Sequence, residues 1–469
     1  MIPLSLEAVA AAVGGRLCDV PAPAVLVTGP TVCDSRAVTP GGLFAALPGE
    51  HADGHAYAET AIASGAVAVL AARPVGVPAV VVDDVLDALA ALARTVLAAV
   101  PEARVIGLTG SAGKTSTKDL IAQVLPELGP TVATVASFNG ELGMPLTITQ
   151  LHRDVRFLVL EMGARGIGHI AHLTGIAPPT VGLVLNVGTA HVGEFGGRDK
   201  IAAAKGELVE ALPSAVEGGI AVLNADDELV AAMASRTRAR VVTFGARRAA
   251  DVRADDVALD SAGRPSFSLV VGGERARVEL SLHGAHQVSN ALAAAAVAVA
   301  LGADVGLTAA ALSGARLVAA GRMEVTHRPD NIVIVNDAFN ANPESMRAAL
   351  DALTAMRGER RALAVLGEMR ELGPDAGEEH ARVGRLAADA GLGVLVTVGG
   401  DDARAMADAA KQARPDLEVV ECRDRDHALT VARELLRPGD VVLVKSSHSV
   451  GLEHVAVCLA QPDPVSDTR

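Results

Sequence analysis

Residues 105–116 constrain this chain more than any other stretch. Val105-Ile106-Gly107-Leu108 is a short apolar run that reads as a buried strand. It leads into Thr109-Gly110-Ser111-Ala112-Gly113-Lys114-Thr115-Ser116, and Thr117–Leu125 then reads as a helix. In a strand–loop–helix of this kind, glycines let the backbone fold around phosphate oxygens, the helix N-terminus offers N–H donors, and the lysine bridges phosphates. The Thr115 hydroxyl is placed to bind Mg²⁺. Leu108 stands where the longer form of the loop has glycine, so this is the shortened pattern G-x-x-G-K-T. Gly110, Ser111, Ala112, Gly113, Lys114, Thr115 and Ser116 form the candidate cradle for a nucleoside triphosphate.

Phosphoryl transfer also needs a metal-holding acid at the tip of a neighbouring strand. Phe157-Leu158-Val159-Leu160 is a second buried run, and it ends in Glu161. A carboxylate in that position is poorly explained as a solvated surface charge. The next strand, Val181–Leu185, runs into Asn186-Val187-Gly188-Thr189-Ala190-His191. Taken alone, His191 reads as a core or surface histidine. Lys205, in Ala202-Ala203-Ala204-Lys205-Gly206-Glu207, reads equally as a surface lysine whose stem covers apolar neighbours. His169 and His172 stand three residues apart but have no third metal ligand nearby.

Composition removes other classes. The 41 Lys and Arg against 55 Asp and Glu give a net charge of −14, and only 2% of residues are aromatic. That balance argues against a nucleic-acid platform of basic patches and stacking rings, and the core has to be built from Ala, Val, Leu and Ile. Cys18, Cys33, Cys422 and Cys458 are far apart with no C-x-x-C pair, which argues against disulfides and thiolate metal sites and fits a reducing compartment. Met1–Glu7 has no basic stretch before an apolar run, and the apolar segment Ala291–Leu301 is about half the length a bilayer requires. The reading is a cytoplasmic protein without membrane insertion.

A chain of 469 residues predicts two to four domains. In the first hundred residues Ala79–Asp83 reads as a strand and Val85–Val100 as a helix stopped by Pro101. A new unit opens at Arg104 and alternates strands with helices to about Leu312. Its stretch Asp251–Gly284 reads as an antiparallel excursion before a helix over Asn290–Leu301. In the last section Ile332–Val335, Ala362–Leu366, Val394–Val398 and Val441–Val444 alternate with helices, which predicts a parallel, doubly wound sheet. The expected architecture is α/β in three domains, 1–102, 103–314 and 315–462, with a disordered tail at 463–469.

The motifs in combination resemble one family, the Mur ligases of peptidoglycan synthesis. Thr109-Gly110-Ser-x-Gly-Lys-Thr, Glu161-Met-Gly-Ala, Asn186-Val-Gly-Thr-Ala-His191, Ala204-Lys205-Gly-Glu and Asn224-Ala-Asp226-Asp227 occur in the family's order. Asp34-Ser35-Arg36, Asn139-x-Glu141-Leu-Gly143, Asn336-Asp337-Ala-Phe-Asn340-Ala-Asn342-Pro343 and Leu366-Gly367-Glu368-Met369 are most similar to members that add D-alanyl-D-alanine. The resemblance spans essentially the whole chain. It implies three domains: an N-terminal α/β domain for the UDP-sugar, a central P-loop ATPase domain with a mostly parallel sheet, and a C-terminal Rossmann-like domain.

The resemblance also implies roles. ATP and Mg²⁺ would be the cofactors, and UDP-muramoyl peptide and D-alanyl-D-alanine the small-molecule substrates of a monomer that binds no nucleic acid. Lys114, Glu161, His191 and Lys205 would be catalytic, with Thr115, Glu161, His191 and Lys205 around two Mg²⁺ ions and Lys205 carbamylated. Asn290 would lie on the adenine side, and Arg322 and Asp337 would complete the ATP site. Ser35, Arg36, Asn139, Asn340, Asn342 and His448 would contact substrates. The chain departs from the family pattern at Gly140, Gln287 and Phe339, and most of all at His448, where Arg is usual. Two other functions compete with this one: a related ligase joining another amine, as in natural-product assembly, and a P-loop ATPase or kinase.

Overall fold

A computed structural model describes residues 1–49, 52–189 and 192–461, with only the backbone of Val192 and Glu194. His191 and the tail 463–469, both subjects of expectations above, lie outside the described residues. Three main sheets follow one another along the chain.

In the first sheet Ala79–Val81, Ala68–Ala71, Leu43–Ala45 and Thr31–Val32 run parallel, and Arg16–Cys18 pairs antiparallel at one edge. The helix Val85–Ala98 is capped by Asp84, whose carboxylate accepts from the amides of Leu86 and Asp87.

The second sheet has nine strands, and its middle positions the site. Arg104–Thr109 lies between Phe157–Glu161 and Val181–Val184, all parallel, in a register that sets Glu161 opposite Leu108 and Val184 opposite Thr109. The chain moves outward from Arg104–Thr109 in one direction first and in the other later, so the strand ends diverge into a crevice. Ligands bind at such switch points in open α/β sheets. The antiparallel excursion is present as Val252–Leu259, Pro265–Val271 and Glu274–Glu279 at the far edge.

The third sheet is mixed rather than purely parallel. Val333–Asn336, Val441–Lys445, Ala362–Gly367, Val394–Val398 and Glu418–Cys422 run parallel, and Glu324–His327 pairs antiparallel at one edge. Both outer strands escaped the sequence reading because edges carry charged, half-exposed residues rather than apolar runs.

Packing explains how a core nearly free of aromatics holds together. The helix Gln287–Ala300 carries Ala291 through Ala298 fully buried against the central sheet. Its small side chains let it lie close to the helix Lys114–Val124. On the opposite face, one continuous apolar cluster joins Leu6, Leu43, Leu89 and Leu92 of the first unit to Leu158, Leu160, Leu173, Leu208 and Leu223 of the second. The third sheet has separate clusters on its two faces. Among the described residues no helix is long and apolar enough to cross a membrane.

Candidate active site

The helix after the phosphate loop starts at Lys114, three residues earlier than the sequence pattern suggests. Hydroxyl residues in a first turn usually compete with the helix backbone. Here they bond elsewhere: Thr115 donates to Glu161 at 2.9 Å and Thr117 to Asn290 at 3.2 Å. Gly113 caps the helix at φ 80° and offers no side chain, so the first-turn amides are left for a ligand in the cavity this loop lines. A Cβ on Gly113 would stand 2.5 Å from Asn290 Oδ1. Gly113→Ala combines that clash with a left-handed backbone, and it is expected to weaken ATP binding ~10-fold or more, about 1.4 kcal/mol, as read by titration calorimetry.

Asn186, at the end of the neighbouring strand, fixes the loop's shape. Its Oδ1 accepts from the amides of Ser111 and Ala112, both at 2.9 Å, and its Nδ2 donates to the Ala112 carbonyl. Lys114 Nζ donates back to the Gly110 carbonyl at 2.8 Å. Burial lowers the pKa of Lys114, with Glu161 opposing that shift.

Glu161, only 1% exposed, is held from both sides: Thr115 donates to Oε2 and Asn139 Nδ2 donates to Oε1 at 2.8 Å. Ser137 Oγ lies 3.0 Å from Thr115 Oγ1. Lys205 lines the same cavity, is 5% exposed, and has no hydrogen-bond or ion-pair partner among the described residues. Burial, reinforced by Lys114, holds its pKa well below the ordinary lysine value. The carboxylate and two hydroxyls are hard oxygen donors of the kind Mg²⁺ prefers, so this set fits the implied metal. Among the described residues no three His, Cys, Asp or Glu cluster as a metal site, and the oxygen donors these residues bring together are Glu161 and the hydroxyls of Thr115 and Ser137.

The third unit completes the cavity, which encloses about 920 Å³. Arg322 reaches across to donate to Ser137 Oγ at 3.1 Å and Thr115 Oγ1 at 3.3 Å, and its guanidinium lies 4.3 Å from the Phe339 ring centre. Its Nε is buried without a partner among the described residues, as befits a group awaiting an anion. Asp337 accepts from the Met323 amide and pairs with buried Lys445 at 2.6 Å. Glu344 accepts from the backbone and hydroxyl of Thr189, both at 2.9 Å, which ties the third unit to the second.

Most of the candidate residues therefore share one cavity: residues 110–116, Asn139, Glu161, Lys205, Asn290, Arg322, Asp337, Asn340 and Asn342 all line it. Asn342 also has local work, capping the helix Pro343–Arg357. Ser35 and Arg36 do not line it. They sit in a short turn capped by Asp34, with Arg36 paired to Asp34 at 2.7 Å. His448 is also outside the lining, 69% exposed, 3.5 Å from Glu453 and stacked at a tilt on Phe339. Sequence reasoning gave no individual role to Ser137, Asn186, Thr189 or Glu344. Asn186 could have been found, because a polar residue directly after a strand beside the phosphate loop belongs to the crevice.

Residues 31–105 match the Mur ligase family catalytic domain, 108–298 the Mur ligase middle domain, and 321–448 the Mur ligase glutamate ligase domain. The UDP-N-acetylmuramoyl-tripeptide–D-alanyl-D-alanine ligase of Mycobacterium tuberculosis is 48% identical, with both chains covered in full. The chain belongs to the Mur ligase family. The Escherichia coli enzyme of the same name is 35% identical over 91% of this Mur ligase and 93% of its own length. A crystal structure of MurF from Acinetobacter baumannii superposes with a TM-score of 0.85 at 30% identity, covering 98% of this chain and 99% of that one. MurF from Thermotoga maritima, solved in complex with ADP, gives 0.77 at 30% identity over 92% and 97%. The three-domain Mur ligase fold expected from the sequence is thus present.

Proposed function

We propose that this Mur ligase uses ATP to join D-alanyl-D-alanine to a UDP-N-acetylmuramoyl tripeptide, in the cytoplasm and as a monomer with domains at 1–102, 103–314 and 315–462. Full-length likeness to ligases of that name supports the reading. The observation that carries it is the shared cavity, where a phosphate loop, a held carboxylate and an arginine from another domain face one another.

In this reading a carboxylate oxygen of the acceptor peptide attacks the γ-phosphorus, the bond to the bridging oxygen breaks, and ADP leaves. The dipeptide's amine then attacks the acyl carbon, loses a proton, and expels phosphate. Lys114 and the first-turn amides of its helix hold the phosphates, and Arg322 adds positive charge from the opposite wall. Mg²⁺, held by Thr115, Glu161, His191 and carbamylated Lys205, would screen charge on the transferring phosphoryl group. Asn290 borders the loop on the adenine side and Asp337 steadies Lys445. Asn139, Asn340 and Asn342 face the acceptor and amine, Ser35 and Arg36 hold the UDP end, and His448 reaches the amine side through Phe339.

The amine of Lys205, without a partner among the described residues and easily deprotonated, is suited to adding CO₂. Lys205→Ala is expected to cost at least ~10-fold in ligation rate, Lys205→Arg should fail as well, and acetate should restore part of the alanine variant's rate. Full activity of Lys205→Arg would remove the carbamate from the reading.

The experiment for the function is phosphate release from ATP across acceptor and amine combinations. Release that requires both the UDP-muramoyl tripeptide and D-alanyl-D-alanine is the expected result. Release without an amine would make the chain an ATPase or kinase, and release with a different amine would make it a ligase of another product.

A further inference from the structure

The segment between the second and third units is an exposed strap, and apolar packing does little to hold it. Leu317 and Val318 are 39% and 64% exposed. The strap is fixed instead by one face of the helix Lys114–Val124, at residues four apart. Gln123, in the last turn, pairs with Arg316 as a strand would: its Oε1 accepts from the Arg316 amide at 2.9 Å and its Nε2 donates to the Arg316 carbonyl at 3.0 Å. One turn earlier, Asp119 and Ala319 line the same small cleft between helix and strap. One turn earlier again, Thr115 receives Arg322. Positions 115, 119 and 123 span about 12 Å of helix, and the strap runs antiparallel along them at 322, 319 and 316.

We infer that Gln123 and Asp119 are positioning residues that set the register of the strap, so that Arg322 enters the nucleotide site opposite Thr115 and Ser137. The inference rests on the proposed nucleotide site and adds how its third-domain cation is delivered. A primary amide suits position 123 because a single side chain must both accept and donate to the same residue's backbone. The two bonds satisfy backbone groups that exposed chain would otherwise give to water, and they prevent the strap from slipping by one residue. Slippage would carry Arg322 about 3.3 Å away from the hydroxyls it touches. The helix that holds the phosphates at its N-terminus thereby also holds the neighbouring domain's arginine in place.

Two measurements on the full chain test this. The first is trypsin cleavage between Arg316 and Leu317, read by mass and independent of any substrate. Gln123→Ala should speed it about 10-fold, and Gln123→Glu, which keeps the shape and the acceptor but lacks the donor, should do the same. The second is a cycle of ATP affinities for the unmutated chain, Gln123→Ala, Arg322→Ala and the double variant. Gln123→Ala should weaken binding about 5-fold, and the double variant should stay within about 2-fold of Arg322→Ala alone, because the clamp acts only through that arginine. Unchanged cleavage, or losses that multiply in the double variant, would overturn the clamp while ATP still binds the unmutated chain. Failure of the unmutated chain to bind ATP would instead overturn the functional reading beneath it.

Discussion

Lys114→Ala should lose two to three orders of magnitude in ligation rate and remain folded. Lys114 is the one cationic side chain within the loop 110–116, and in the proposed reaction it stands where charge builds up on the phosphoryl group. Removing one preorganised donor of that kind typically costs ~2.7–4 kcal/mol of barrier, or 10²–10³ in rate. The fold should not suffer. Lys114 gives one hydrogen bond to the Gly110 carbonyl, while Asn186 shapes the loop independently. The check is the rate of phosphate release beside a thermal melt. A folded variant with near-normal rate would remove the loop from the chemistry.

Lys118→Ala should damage stability more than any other single change on this helix. Lys118 is 3% exposed, its Nζ lies 2.6 Å from Asp119 Oδ1, and it donates to the carbonyls of Thr134 at 2.7 Å and Ala136 at 3.2 Å. Those carbonyls precede Ser137 and Asn139, and Ala136 sits at a left-handed φ of 47°, a conformation only a firmly held loop maintains. Removing one partner of a buried pair leaves an uncompensated charge and costs ~3–5 kcal/mol. Burial already raises the pKa of Asp119, with Lys118 opposing it. Without Lys118 the folded-state pKa rises further above the unfolded value, so the folded form takes up a proton that the unfolded form does not. The penalty should therefore be largest at pH 8 and shrink as the pH falls toward that raised pKa. Urea unfolding at pH 8 and pH 6 measures both effects, and a pH-independent loss below 1 kcal/mol would show that the pair carries no buried charge.

The contrast between Lys118 and Lys205 shows how far residue patterns reach. Both are lysines buried on helices, and only their partners separate them: one grips two carbonyls and an aspartate, the other has no partner among the described residues. Periodicity cannot tell these apart, and the resemblance to the family singled out only Lys205. The strand–loop–helix at 104–124 and the acid at 161 were legible because strand tips and glycine loops are local features. Contacts such as Arg322 with Ser137 or Glu344 with Thr189 join residues more than 150 positions apart, and no local pattern encodes them. Ser35, Arg36 and His448 were assigned by resemblance alone, and they lie outside the cavity lining, on the surface in the case of Arg36 and His448.

The apolar cluster that runs without a break from Leu6 to Leu223 has a consequence for how the chain is made. The first unit cannot bury Leu89, Leu92 and Val96 completely until the helices Gly143–Ile148 and His169–Ile176, which pack against theirs, exist. On a ribosome adding 5–20 residues per second, that delay is roughly 4–15 s. During it the nascent N-terminal hundred residues present an aliphatic face with nothing to cover it, which is the kind of surface a holding chaperone binds. The third unit closes both of its own clusters from residues 323–459 and has no such wait. Gene fusions or truncations that cut after the first sheet should therefore yield insoluble product, whereas a cut in the strap near Arg316 should release two soluble pieces.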